Sequence, residues 1–169
     1  MGEVKRQRAS QMHGAAFEAW LEAQHLIAFR RGIAHVRKVS PAVKWLAGGR
    51  AIVTGAAGCD WSGTLKGGRH LVAESKSTAT ARLGLSAFES HQIADLDLAH
   101  HFGALALAII ELRVDGRPLR FAAPWPLPWR VTGNGQGVGV DELRPWAIVE
   151  GSCYLARFVY QEDGTEEVP

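Results

Sequence analysis

Asp60-Trp61-Ser62-Gly63-Thr64-Leu65-Lys66-Gly67-Gly68-Arg69-His70-Leu71-Val72-Ala73-Glu74-Ser75-Lys76 is the stretch from which the rest of the chain can be read. Residues 59–65 and 69–77 have strand character, and Lys66-Gly67-Gly68 between them supplies the glycines of a tight turn. In a strand, residues two apart share a face. Val72, Glu74 and Lys76 therefore point one way, and Leu71, Ala73 and Ser75 the other. Asp60 precedes Glu74 by 74 − 60 = 14 residues, so a hairpin turning at Gly67-Gly68 returns it beside Glu74. Two carboxylates at one spot repel each other and need a cation. Hard oxygen donors of this kind suit Mg²⁺ or Mn²⁺, with waters and a backbone carbonyl completing the shell. A lysine beside them can orient a water and offset phosphate charge. Together these groups suit metal-assisted phosphodiester hydrolysis.

The flanking sequence supplies a scaffold. Upstream, residues 15–31 place Phe17, Trp20, Leu21 and Ala28 at helical spacing, and Gly32 is a helix stop. Residues 33–39 read as a basic strand. Residues 43–46 and 51–54 flank Gly48-Gly49 and read as a small hairpin. Downstream, Ser86 opens a second helix with Glu89 three residues later, a capping-box spacing, and the helix ends near His101 and Gly103. Residues 104–110 form a continuous apolar run closed by Glu111, as in a strand buried on both faces. Residues 120–123 and 154–160 are further strand candidates. The proline–tryptophan segment 124–129 is irregular, and the glycine-rich stretch 133–139 reads as loop. No lysine follows those glycines, so they are not a phosphate loop. Val140–Leu143 reads as a short helical turn. The order αβββαβ predicts an α/β fold, a single domain with one mixed central sheet flanked by helices.

Composition sets the class. The chain has 169 residues, 47% apolar and 21% charged, which is one domain of ordinary size with a real core. No run is long and apolar enough for a membrane span. The first residues carry no apolar core of a secretory signal, so a cytoplasmic setting in a bacterial or phage-infected cell is expected. Cys59 and Cys153 are read as reduced thiols. Charge is uneven. Residues 1–82 hold 13 Lys/Arg and 5 Asp/Glu, a balance of 13 − 5 = +8, whereas residues 83–169 hold 6 and 12, a balance of 6 − 12 = −6. A basic first half points to a polyanion, and nucleic acid is the commonest one.

Asp60 with Glu74-x-Lys76, after an N-terminal helix carrying Glu18, resembles the PD-(D/E)xK nuclease superfamily. More narrowly the chain resembles RecU-type Holliday junction resolvases. The matching residues are Phe17-Glu18, Arg31-Gly32-Ile33-Ala34, Asp60-Trp61-x-Gly63, Lys66-Gly67, Glu74-x-Lys76, Leu85-x-x-Phe88 and Ser90-His91-Gln92-Ile93. The resemblance covers roughly residues 14–115 well and the rest loosely. It implies a restriction-endonuclease-like fold and an endonuclease that resolves four-way DNA junctions by metal-dependent hydrolysis. It implies metal binding by Asp60, Glu74 and the Ser75 carbonyl, and water positioning by Lys76. It adds Glu18 and Gln92 as further catalytic residues, Mg²⁺ or Mn²⁺ as cofactor, and a homodimer making two symmetric nicks.

On this reading residues 1–13 are a basic flexible arm, 14–160 the nuclease domain and 161–169 an acidic tail. Residues 40–58 stand where the family inserts a β-hairpin stalk, and they are short for one. Lys5, Arg6 and Arg8 of the arm, with Arg37, Lys38, Lys44, Trp45, Arg50, Lys66 and Arg69, are the expected DNA contacts, and Trp45 can stack on an unpaired base. Two alternatives stand beside this one. The protein is a related nuclease acting on duplex, end or flap DNA, or a DNA-binding module without catalysis.

Overall fold

The computed structural model describes residues 2–40, 43–47, 49, 51–53, 58–132 and 135–160. Helix α1 spans Gly2–Arg30 and is followed by strand β1, Ala34–Lys38. A small hairpin pairs β2, Val43–Trp45, with β3, Ala51–Val53. Strands β4, Trp61–Leu65, and β5, His70–Ser77, come next, then the short β6, Arg82–Gly84. Helix α2 is Ser90–His101, and the long strands β7, Leu105–Val114, and β8, Arg117–Pro124, follow it. The chain closes with β9 (Arg130–Thr132), β10 (Gly135–Gly139), α3 (Val140–Leu143) and α4 (Ala156–Tyr160). The central sheet has the order β1-β4-β5-β7-β8. Only β5 and β7 are parallel, and α2 is the crossover between them. This is the mixed α/β fold that the sequence predicts.

The continuous apolar run is explained by β7, which lies between β5 and β8. Leu105, Leu107 and Ile109 face α1, where Phe17, Leu21, Leu71, Ala73, Tyr154 and Leu155 join one core. Ala106, Ala108, Ile110 and Leu112 face the other way and meet Leu96, Phe88, Phe121 and Trp125. A strand buried on both sides has no polar alternation to show. No described helix is long and apolar enough to cross a membrane.

The β4–β5 turn has the geometry its glycines allow. Gly67 and Gly68 take φ of 91° and 93°, and Leu65 and Arg69 close the loop with a 2.9 Å backbone bond. Gly63 answers a different need. A Cβ there would lie 2.3 Å from the His35 carbonyl oxygen and 2.7 Å from Val36 Cα, both backbone atoms of the paired strand β1. Gly63→Ala is therefore expected to push β1 off the sheet and cost about 3 kcal/mol, as overpacking does. The urea midpoint of the variant checks this, and an unchanged midpoint would show that β1 can yield.

His25 of α1 is buried between the Trp61 ring, 4.6 Å away edge-on, and Tyr154, whose hydroxyl lies 2.6 Å from Nε2. Burial pushes its imidazole down to about 4. The folded protein keeps it neutral while the unfolded chain takes up a proton below about 6.5. The unfolded state then binds more protons, so stability is lost as pH drops through this window. About 3 kcal/mol should be lost between pH 6.5 and 4 on this account. Denaturant unfolding at several pH values should show that slope flattened in His25→Gln. Parallel curves for the two proteins would remove His25 as its source.

Several expectations are corrected. Residues 2–13, expected as a flexible arm, are helical and continue α1. Glu3, Lys5, Arg6, Gln7, Arg8, Ala9 and Gln11 are good helix formers, and their polarity had concealed the helix. Helix α2 starts after a 3₁₀ turn, Leu85–Ala87, and is capped by Glu89, one turn later than the Ser86 spacing indicates. Residues 154–160 end in helix α4 rather than a strand. The glycine-rich stretch contributes β10, which pairs with β6 and β9. The acidic tail, residues 161–169, lies outside the described residues.

Candidate active site

Strand register places the two carboxylates. Trp61 pairs with Ala73 at the start of β4, so Asp60 stands beside Glu74. They are fixed reciprocally. The Asp60 N–H donates to Glu74 Oε2 at 3.1 Å, while the Ser75 N–H and Oγ donate to Asp60 Oδ2 at 3.1 and 2.5 Å. Among the described residues, β5 beyond Ala73 keeps only β7 as a sheet neighbour. The Ser75 N–H points to the open edge, and its carbonyl shares that side because a residue's two backbone groups point the same way in a strand.

Glu74 and Lys76 share a face, as their spacing requires. Lys76 Nζ lies 2.7 Å from Glu74 Oε1. Gln92, in the first turn of α2, completes the group. Its Nε2 donates to Glu74 Oε1 at 2.7 Å, and its Oε1 accepts from Lys76 Nζ and from the Glu89 N–H, each at 2.9 Å. The bond to Glu89 starts the helix, so the helix terminus and the site are built from one side chain. The ring of Phe88 lies 5.4 Å from Lys76 Nζ, a packing contact that spacing alone did not reveal.

Charge at the site is unbalanced. Glu74 is 1% exposed, and burial raises its carboxyl above the ordinary range, against the opposing hydrogen bond from Lys76. The Asp60 carboxylate adds to the rise. Among the described residues the Glu74 carboxylate pairs with the ammonium of Lys76. Cys59 offers no help as a ligand or nucleophile, because burial pushes its thiol up to about 12 and it donates to the Gln92 carbonyl.

No family model matches the sequence, and no curated protein matches it. Among solved structures the chain is similar to Hjc of Archaeoglobus fulgidus, a Holliday junction resolvase from an archaeal hyperthermophile. The two share 18% identity at a TM-score of 0.48, over 74% of this chain and 90% of that one. The site described above stands on its own geometry and not on that likeness.

The donor set fits a divalent cation. Glu74 is a buried carboxylate with a second carboxylate beside it, and Asp60 Oδ1 takes no hydrogen bond among the described residues. Mg²⁺ is commonly held by one or two carboxylates with waters filling the remaining positions. Among the described residues no group of three His, Cys, Asp or Glu side chains gathers. Glu18 is not in direct contact with this pair. It forms an ion pair with Lys38, and the hydrogen bond that Lys38 donates to Glu18 raises the lysine's pKa. Lys38 also feels the charge of Asp60 and lies 6.0 Å from the Trp61 ring centroid. Glu18 thus approaches the site through a lysine that sequence spacing had marked only as a DNA contact.

The other basic candidates are spread out. Arg37 and Lys38 lie on β1, and Arg37 Nε donates to His35. Lys66 is exposed in the β4–β5 turn, and Arg69 Nε donates to the Gly103 carbonyl. Lys5, Arg6 and Arg8 lie on the first turns of α1, and Lys44 and Trp45 on β2. The side chains of these five, and Arg50 entirely, lie outside the described residues. Among the described residues the β2–β3 hairpin pairs over three residues per strand.

Proposed function

We propose that the protein is a divalent-metal-dependent DNA endonuclease that nicks four-way junctions. The observation that carries this is the joined set Asp60, Glu74, Lys76 and Gln92: the Glu74 carboxylate takes hydrogen bonds from the Lys76 ammonium, the Gln92 amide and the Asp60 N–H, with the Asp60 carboxylate held beside it by Ser75. Asp60, Glu74 and the Ser75 carbonyl would hold Mg²⁺ or Mn²⁺. When bound, the ion supplies a Lewis acid for the phosphoryl oxygen and a more acidic water. Lys76 holds a hydrogen-bonding ammonium where a water attacking phosphorus needs orientation and where charge develops. Gln92 keeps that ammonium and the Glu74 carboxylate in register. Burial by α2 limits bulk water around Glu74, which strengthens each of these interactions.

The basic first half supplies phosphate contacts, so affinity should fall steeply with salt. Two symmetric nicks need two sites, which a two-fold homodimer of this chain would supply. The short β2–β3 hairpin favours a second reading, the same chemistry on duplex DNA. Purified protein is offered an immobile four-way junction and a matched linear duplex with Mg²⁺, Mn²⁺ or EDTA. Paired metal-dependent nicks in the junction alone support the resolvase. Cutting of both substrates selects the broader nuclease. Binding without cutting under either metal rejects catalysis.

A further inference from the structure

Ser75 separates the two motif residues Glu74 and Lys76, and its side chain points to the opposite face, toward the α1 core. A hydroxyl on an apolar face needs partners, and both of its partners belong to the site. The indole Nε1–H of Trp61 lies 3.3 Å from Ser75 Oγ, and Ser75 Oγ lies 2.5 Å from Asp60 Oδ2. An indole can only donate and an ionised carboxylate can only accept, so the direction of this chain is fixed. Trp61 donates to Ser75, and Ser75 donates to Asp60. Trp61 itself cannot drift, being 2% exposed and packed edge-on against His25.

We propose that Ser75 is a positioning residue whose hydroxyl, oriented by Trp61, clamps the Asp60 carboxylate for divalent-cation binding. The backbone N–H of the same residue donates to the same oxygen. Both bonds therefore stop rotation of the carboxylate and leave Oδ1 as its uncommitted oxygen. Partners that orient a ligating side chain in this way typically govern metal affinity by 10–100-fold. The inference rests on the metal site proposed above.

The test measures Mn²⁺ binding by calorimetry, nicking rate against Mn²⁺ concentration, and thermal unfolding in EDTA. It uses the parent, Ser75→Ala, Ser75→Thr and Trp61→Phe. Ser75→Ala should weaken Mn²⁺ binding by about tenfold, and the Mn²⁺ concentration for half-maximal nicking should move with it. Ser75→Thr should restore both, because it keeps the hydroxyl. Trp61→Phe should shift the Mn²⁺ affinity in the same direction by less. A parent that cuts, with Ser75→Ala binding Mn²⁺ equally well, overturns the clamp and leaves the nuclease standing. A variant that only melts earlier, with no change in Mn²⁺ affinity, overturns it too. A parent that binds Mn²⁺ without cutting, with weakened binding in Ser75→Ala, keeps the clamp and rejects the nuclease. A parent that binds no Mn²⁺ rejects both.

Discussion

Asp60→Asn is expected to stop junction nicking and to leave junction binding intact. The substitution keeps the shape, and an amide oxygen can still accept the two hydrogen bonds from Ser75. What it removes is the anionic charge beside Glu74, and with it the better part of a divalent site. Lys76→Met removes the other half of the chemistry. Loss of one well-placed charge-stabilising donor usually lowers the rate by about 10²–10³-fold, and both variants should fall at least that far. Their physical side effects differ in sign. Asp60→Asn relieves a repulsion that raises the Glu74 carboxyl, whereas Lys76→Met takes away the ammonium paired with it. Asp60→Asn should therefore melt no earlier than the parent in EDTA, and Lys76→Met should melt earlier. Single-turnover nicking, a binding titration and a melt on each variant decide the matter. Parent-like cutting by either one would displace the site.

The parts of this site that were legible in the sequence are those set by local rules. Period two places Glu74 and Lys76 together, and the glycine turn at 67–68 returns Asp60 to them. Gln92 was marked by resemblance, and the structure gives the physical reason, since it both caps α2 and grips Glu74 and Lys76. The misplaced start of α2 shows how a local signal can mislead. Ser86 and Glu89 have the capping spacing, yet Leu85–Ala87 coils as a 3₁₀ turn, and the Glu89–Gln92 pair has the same spacing with a polar partner waiting at the site. What the sequence hid is non-local. Gly137 is there because β6 approaches closely: a Cβ on it would meet the Leu83 carbonyl oxygen at 2.7 Å. No pattern within the stretch reports a strand that lies 137 − 84 = 53 residues earlier in the chain; only the pairing itself does. The Lys38–Glu18 pair likewise joins residues twenty positions apart in sequence, on different elements.

Glu111→Ala should be among the most destabilising single changes in the protein, at about 3–5 kcal/mol, while leaving the chemistry at Asp60 and Glu74 in place. Glu111 ends the apolar run of β7 and is 1% exposed. Arg113 donates to its Oε1 at 3.2 Å and Arg120 to its Oε2 at 3.0 Å, and the Ser77 hydroxyl adds a third bond. Arg120 in turn lies 4.4 Å from the Trp20 ring of α1. One carboxylate thus fastens β5, β7, β8 and α1. Its removal leaves two partly buried guanidinium groups facing each other with no anion between them. The comparison with Glu74 is instructive, because both are buried acids on adjacent strands. Glu111 has two cations for its charge and is complete within the protein. Glu74 has the Lys76 ammonium but also a second carboxylate beside it, and burial with that neighbour raises its carboxyl above the ordinary range. Urea unfolding of Glu111→Ala should show the loss, and Glu111→Leu combined with Arg113→Leu and Arg120→Leu should recover much of it, since an apolar replacement removes the stranded charges as well. At a temperature where Glu111→Ala stays folded, its nicking rate should match the parent. A stability loss under about 1 kcal/mol, the size of an exposed ion pair, would show that the two arginines find water instead and that Glu111 is not the fastener proposed here.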